Sequence, residues 1–512
     1  MSERSMDELI EDLERRRAEG LSMGGPERVE RHRATGRMTV RERIDSLLDE
    51  GSFFEIGLLA QPELREEGPV PADGSVTGWG EIDGRAVAII GIDATTKAGT
   101  TAPVGMRKQG KIIAQAEERG IPLVVLADAD GGRIPDVMGW RFSGLPFDFR
   151  TFIQTPPGLT PVPRICALFG PSYGDAGLHA AHSHYVIMTQ SASVALSGPS
   201  VVAAGTGERV SDVDLGGPKR SMEVGNAHMV VEDEPAALQA IRDVLAYLPD
   251  HAGLAPPAAP PAEPATNPIG LADLVPTARR RGYDVRTVID AIVDADSILP
   301  YRADGHRSLV TCLARLEGRV VGVLANQPMH LGGVLTPGAL AKELDFVDLC
   351  DTFGIPLIFL HDVPGLLVGS GAEAEGVLRK YEALAARIAR AGVPKLGVVI
   401  RKAYGGGHYA MGGQPTRPDL LVAWPTAEMG FMAPDVGIRT VHRRRLEEAE
   451  ADGTIDEVLA DLERTWEIES EPWEAAAHTY LDDVIDPRDT RDVLVKGLRF
   501  ATGSRDRGER TW

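Results

Sequence analysis

The chain has 512 residues, 43% of them apolar and 25% charged, an ordinary composition for a protein of two or more domains. Its net charge of −21 excludes a general nucleic-acid surface, though a local basic patch for an anionic ligand stays open. No apolar run reaches the eighteen residues a membrane span needs, and the charged start MSERSMDELIEDLERRR lacks the apolar core of a signal peptide, so a cytoplasmic protein is expected.

In chain order, Met6, Leu9, Ile10 and Leu13 recur at helical spacing, which predicts an amphipathic packing arm over residues 2–20, broken by Gly24-Gly25. Arg28, Arg31, His32, Arg33 and Arg37 then form a basic cluster, either a solvated face or a contact for the phosphates of a nucleotide-like ligand. Thr39 and Glu42 make a capping-box pattern for a helix from Thr39 to Leu48. From Gly78 the pattern becomes α/β. Asp83-Gly84 is a hairpin turn, Ala86 to Ile90 a strand, Arg107 to Arg119 a helix, Pro122 to Leu126 a strand ending in DADGGR, and Arg164 to Phe169 a strand ending in GPSYGDAG. Such alternation predicts parallel strands with helices on the faces. The stretch GLAPPAAPPAEPATNPIG, 253–270, is a Pro/Ala linker. The expected domains are therefore 1–252 and 271–502, with a disordered tail over 503–512.

The second half repeats the first. Asp83-Gly84-Arg85 returns as Glu317-Gly318-Arg319, and Gly120-Ile121-Pro122-Leu123 as Gly354-Ile355-Pro356-Leu357, both at an offset of 234 residues. Leu126, Asp128 and Gly131 match Leu360, Asp362 and Gly365 at the same offset; Ser172-Tyr173-Gly174 then matches Ala403-Tyr404-Gly405 at 231. Register kept over this length marks a duplicated α/β domain.

The stretch most suited to chemistry is VVIRKAYGGGHYAMGG, 398–413. A β-branched strand, the glycines Gly405, Gly406 and Gly407, and a helix start at HYAM aim backbone N–H groups at one point, a place to hold negative charge on oxygen. Its relative in the first half is the turn at Gly174 and Asp175. His179, His182 and His184 follow that turn at a spacing that does not keep all three on one helix face, so solvent-facing or hydrogen-bonded histidines are expected rather than a metal cluster. Cys166 and Cys350 sit in apolar runs and are expected as buried core residues. No metal is expected.

The segments GRMTVRERIDSLLDEGSF, GVLANQP, FVDLCDTFGIPLIFLHDVPG, RKAYGG, AWPTAEMGFMAP and LDDVIDPRDTR, in this order, make the chain resemble the carboxyltransferase (β) subunits of biotin-dependent acyl-CoA carboxylases, the propionyl-CoA type above all. That resemblance implies an α/β fold of two duplicated crotonase-like (ClpP/crotonase) domains with βαβ superhelical units. The first would bind a coenzyme A thioester and the second carboxybiotin. It implies that Gly406 and Gly407, with Gly365 and Gly405, face the biotin ureido oxygen, and that N–H groups around Gly174 and Asp175 face the thioester oxygen. Gly131, Gly132 and Arg133 fall in the family's SGGARI loop, and Tyr409 at its acyl pocket. Carboxybiotin would come on a separate carrier from a biotin carboxylase (α) subunit, because the chain has neither a Met-Lys-Met biotinylation sequence nor a glycine-rich ATP module. Self-association through dimers into hexamers is also implied. Three loops depart from the family, all in the first half: Asp175 replaces a glycine, Asp130 enters the SGGA loop, and Lys97-Ala98-Gly99-Thr100-Thr101 replaces a GGS loop. Three functions stay open on the sequence: carboxylation of an unusual acyl-CoA, decarboxylation or transcarboxylation by the same half-reaction, and a catalytically silent structural paralogue.

Overall fold

The computed structural model describes residues 4–64, 70–146, 155 and 158–503; the expected tail lies, beyond Gly503, outside the described residues. The chain divides into two compact units, Met1–Leu254 and Ala255–Trp512. The Pro/Ala stretch is tied to the second of these, where the Ala259 N–H donates to Gly318 O (2.9 Å) and the Thr266 N–H to Asp290 O (3.1 Å).

In the first unit, β1 (Phe54–Ile56), β2 (Ser75–Ile82) and β3 (Arg85–Ile92) pair antiparallel. They continue into β4 (Leu123–Asp130), β5 (Arg164–Tyr173), β6 (Tyr185–Thr189) and β8 (Met229–Val231), all parallel, while β7 (Ser193–Ala195) pairs with the end of β5. The second unit repeats this with β9 (Leu299–Pro300), β10 (Leu309–Leu316), β11 (Arg319–Asn326), β12 (Leu357–Val363), β13 (Lys395–Tyr404), β14 (Leu420–Ala423), β15 (Glu428–Gly430) and β16 (Asp483–Val484). Their order is β16-β14-β13-β12-β11-β10-β9, with β15 on the end of β13.

The duplication holds to single residues. Ala88 pairs with Leu123 in the first sheet and Gly322 with Leu357 in the second. Both sheets carry a register shift at the same place, Ala127/Ala129 and His361/Val363. Both hairpins turn on a residue pair at positive φ, Asp83 (52°) with Gly84 (75°) and Glu317 (50°) with Gly318 (73°), the geometry that suits the right-handed twist of the flanking strands. Even the buried lysines correspond. Lys108 Nζ donates to Ala72 O (2.8 Å) and Ser75 O (2.6 Å), and Lys342 Nζ to Gly305 O (2.9 Å) and Leu309 O (2.7 Å). Burial pulls these amines down to about 8 and about 7.

Apolar alternation builds each core. Ile90, Val125, Cys166, Leu168, Val186 and Met188 of the first sheet pack with Ile112, Ile113 and Ala116 of the helix Pro103–Arg119. In the second unit Val323, Ile358, Leu360, Val398, Ile400 and Val422 pack with Leu494 and Leu498 of the helix Thr490–Gly503. Cys166, Cys312 and Cys350 are buried and reduced.

Several elements differ from their sequence expectation. The helix Pro103–Arg119 starts four residues early, because Pro103 occupies its first turn, where a missing N–H does no harm. β5 runs on through Gly170 and Pro171 to Tyr173, held past the register shift by β4 and β7. The first helix, Met6–Leu21, carries a full capping box on Ser5 and Glu8. Its apolar stripe is not packed, however: Met6, Leu9, Ile10 and Leu13 stay 39–70% exposed, so within this chain it is not the packing arm expected. The cluster after Gly25 is itself helical, Pro26–Arg33.

Candidate functional site

Each unit places two glycine turns side by side at the carboxyl ends of its central parallel strands. In the first unit β4 ends at Asp130, and Gly131 (φ 92°) and Gly132 follow. Thr101 clamps this loop: its N–H donates to Gly131 O (2.9 Å) and its carbonyl accepts from the Arg133 N–H (2.8 Å). β5 ends at Tyr173, Gly174 turns the chain at φ 62°, and the helix Asp175–Ala181 begins. A Cβ on Gly174 would lie 3.3 Å from Gly131 Cα, so the two turns touch. Beside them opens a cleft of about 530 Å³ lined by Gly131, Gly132, Arg133 and Gly174, with Lys97, Asp130 and Tyr173.

The second unit has the same clamp. The Leu335 N–H donates to Gly365 O (3.2 Å), and Leu335 O accepts from the Leu367 N–H (2.9 Å). Gly365 stands at φ 137°, and Gly405, at φ 53°, opens the helix Gly405–Ala410. A Cβ on Gly407 would sit 3.0 Å from Gly365 Cα and 2.7 Å from Val363 Cγ2, so any side chain there must displace the neighbouring turn. The first-turn N–H groups of Gly406 and Gly407 have no acceptor within the helix. Tyr409 lies on this helix, 42% exposed. The structure thus gathers Gly131, Gly132, Arg133, Gly174 and Asp175 in one unit and Gly365, Gly405, Gly406, Gly407 and Tyr409 in the other.

Two of these residues already have partners within the chain. The Gly174 N–H donates to Leu196 O (3.2 Å), which leaves the N–H groups of Asp175 and Ala176 as the donors of that turn. The Arg133 guanidinium is buried and bonded to Asp73 Oδ1 (2.6 Å) and Thr100 O (3.0 Å), so it shapes the cleft wall rather than offering a free cation. The loop Leu196-Ser197-Gly198 after β7 also lines the cleft. The sequence carried only a Ser-Gly-Pro turn as a signal for it.

Asp175 does not line the cleft. Its carboxylate oxygens are buried and meet no well-aligned hydrogen-bond partner. Burial raises the carboxyl to about 6, offset in part by the nearby Thr101 hydroxyl and by its own and the Ala176 N–H. A carboxyl raised above its unfolded value of 3.8 destabilises the fold when charged; the penalty is absent below 3.8, grows with pH, and is complete above 6. Asp175→Asn is therefore expected to stabilise the protein by up to about 3 kcal/mol at pH 8, and hardly at all at pH 4, in denaturant unfolding at both values. A larger gain at pH 4 than at pH 8 would reverse the assignment. Acyl transfer should change less than about tenfold, because the side chain lies outside the cleft. A hundredfold gain would mean that the acid guards the donors.

Beneath both turns lie buried ion pairs. Arg401 Nη2 meets Asp362 Oδ2 at 2.9 Å, and its Nη1 donates to the carbonyls of Pro276, Ala278 and Arg281. In the first unit the partner of Asp128 comes from outside the sheet. Arg43 (1% exposed) bonds Asp128 Oδ2 (3.1 Å) and both carboxylate oxygens of Glu234 (2.8 and 2.7 Å), and Arg37 bonds Asp128 as well. A Cβ on Gly170, the counterpart of Arg401, would fall 2.0 Å from Arg37 Nη2. The borrowed guanidinium fills the place where the second unit grows its own.

His179 Nε2 lies 2.9 Å from Gln109 Oε1, His182 Nδ1 2.6 Å from Leu178 O, and His184 Nδ1 accepts from the Arg164 N–H (3.0 Å). Among the described residues no group of three His, Cys, Asp or Glu side chains is arranged to hold a metal ion. Nor is any helix among them long and apolar enough to cross a membrane. Behind the second glycine turn the rings of His361 and His408 stand 5.5 Å apart, and burial lowers His408 to about 4, so it is neutral at physiological pH.

The sequence matches the carboxyl transferase domain over residues 31–511. The chain belongs to the carboxyl transferase family. It is 36% identical to the propionyl-CoA carboxylase beta chain of Saccharopolyspora erythraea, over 97% of this chain and 93% of that one. It is 31% identical to the methylmalonyl-CoA decarboxylase subunit alpha of Propionigenium modestum, over 97% and 96%. The crystal structure of transcarboxylase 12S, a hexamer with methylmalonyl-coenzyme A bound, superposes with a TM-score of 0.91 at 34% identity, covering 100% of this chain and 98% of that one. The fold of this carboxyl transferase is accordingly the expected pair of crotonase-like domains.

Proposed function

We propose that the protein moves a carboxyl group between carboxybiotin, brought by a separate carrier, and the α-carbon of an acyl-CoA. The observation that supports this best is the paired glycine turns, present once in each unit and so close at Gly407 that a side chain would displace the neighbouring turn. Carboxybiotin, when bound, would supply CO2 and a ureido nitrogen able to take the α-proton. The chain's part is to hold the developing oxyanions. The N–H groups of Asp175 and Ala176, which otherwise lie beside the Asp175 carboxylate, would hold the thioester oxygen of the enolate, and those of Gly406 and Gly407 would hold the ureido oxygen. Fixed backbone dipoles suit this work, because they need no reorganisation as charge develops. The enolate carbon attacks CO2, and the carboxyl carbon ends on the acyl group. The 530 Å³ cleft beside Gly131 and Gly174 takes the acyl-CoA, and its openness argues against a silent structural subunit. The same site serves decarboxylation in reverse, and the likeness to a decarboxylase subunit keeps that direction in play. The family likeness also supports assembly into hexamers beside a biotin carboxylase and carrier partner.

The test uses the purified full-length chain with ATP, bicarbonate and propionyl-CoA. Product is expected only when a biotinylated carrier and its carboxylase are added. Carboxylation by the chain alone, or no transfer in either direction with carboxylated carrier and a panel of acyl-CoAs, overturns the proposal.

A further inference from the structure

The helix Val377–Arg390 carries Val377, Tyr381, Leu384 and Ile388 on one stripe, at i, i+4, i+7 and i+11. The three aliphatic members are buried, Leu384 and Ile388 completely. Tyr381 is half-buried, and it alone has a polar tip. That tip reaches the glycine turn of the second unit. A Cβ on Gly406 would stand 3.2 Å from Tyr381 Cζ and 3.3 Å from its Oη, so the hydroxyl end of the ring, not its face, approaches the bare backbone.

Gly406 and Gly407 are the residues whose first-turn N–H groups find no acceptor within their helix. The Tyr381 hydroxyl makes no hydrogen bond to any described residue. Three donors without an acceptor in the chain thus belong to one turn, two from the backbone and one from a side chain. Burial and the neighbouring Tyr409 push the phenol above its ordinary value, so it keeps its proton and stays a donor at physiological pH. Packing alone asks for none of this, because phenylalanine would fill the stripe with the same ring.

We propose that Tyr381 is a further binding residue for the carboxylated ureido group, its hydroxyl donating to an oxygen of that group beside the Gly406 and Gly407 N–H groups. This rests on the carboxyl-transfer reading above and adds a side-chain donor to a hole otherwise built of backbone. A protonated phenol suits the place, since it can donate to oxygen without bringing in a base that competes for the α-proton.

The experiment compares the parent chain with Tyr381→Phe, which removes the hydroxyl and keeps the ring. Calorimetric titration with biotin methyl amide, a probe with the ureido ring and no carrier, should show about tenfold weaker binding in the variant. Transfer from carboxylated carrier to propionyl-CoA should lose about the same factor in kcat/KM for the carrier, while KM for propionyl-CoA stays as in the parent. The melting temperature should not fall, which separates lost binding from lost folding. Unchanged affinity for biotin methyl amide in Tyr381→Phe overturns this assignment and leaves the carboxyl-transfer reading standing. A parent chain that transfers from the carrier but binds no biotin methyl amide also overturns the assignment alone. If the parent neither binds the probe nor transfers, both fall together.

Discussion

Gly407→Ala should lower biotin-dependent carboxyl transfer about a hundredfold or more while the protein still folds. A methyl there meets Gly365 Cα at 3.0 Å and Val363 Cγ2 at 2.7 Å, and backbone cannot swing aside as the end of a side chain can. The two turns must part, and the donors move off the ureido oxygen. Loss of one oxyanion donor costs roughly 3–4 kcal/mol of transition-state stabilisation, which is a factor of a hundred to a thousand. The neighbouring Gly406→Ala is the control. Its methyl meets Leu366 Cδ1 and Tyr381 Cζ at 3.2 Å, side-chain atoms able to yield, so a loss within about tenfold is expected. Steady-state transfer and melting curves of both variants decide the matter. Equal effects at 406 and 407, or full activity in Gly407→Ala, would make the turn merely structural.

The second large effect is on stability. Arg43 is almost wholly buried, bonds Glu234 through two nitrogens and Asp128 through the third, and stacks 4.3 Å from the centre of the Phe169 ring. Arg43→Ala leaves the buried Glu234 without its main partner and Asp128 with Arg37 alone. Breaking a buried pair from one side costs about 3–5 kcal/mol, most of it the stranded charge. Urea unfolding should show a loss of that size in the first unit, and a loss below about 1 kcal/mol would mean that water or Arg37 replaces it. Replacing Arg43 and Glu234 together by apolar residues should recover part of the loss, because it removes the stranded charge too.

Much of this architecture was legible in the sequence because it is written twice. The offset of Gly120-Ile121-Pro122-Leu123 from Gly354-Ile355-Pro356-Leu357 foretold strands that pair in equivalent register. The glycines of both turns were legible for a related reason: close approach of two backbones excludes a Cβ, and that constraint shows as a letter. Engagement of polar groups was not legible. Nothing local shows that the Gly174 N–H is taken by Leu196, because the acceptor arrives on a different loop. Nor could Arg133 be told from a free cation before Asp73 was placed beside it. β5 was cut short at Phe169 because Gly170 and Pro171 look like breakers, whereas Gly170 is small to admit Arg37. The exposed stripe of the first helix has the periodicity of a packed one, and periodicity does not say what it packs against.

The borrowed guanidinium in the first unit also sets an order of events during synthesis. In the second unit Asp362 and Arg401 are 39 residues apart, and the lock beneath the glycine turn closes soon after its second strand emerges. In the first unit Arg37 must wait 91 residues and Arg43 85 for Asp128, and Arg43 191 for Glu234. Contacts so distant along the chain pay loop entropy before they return any stability, so they form late. The amino-terminal unit, first off the ribosome, therefore completes its floor only when nearly all of its sequence is out, whereas its later-made twin closes from within.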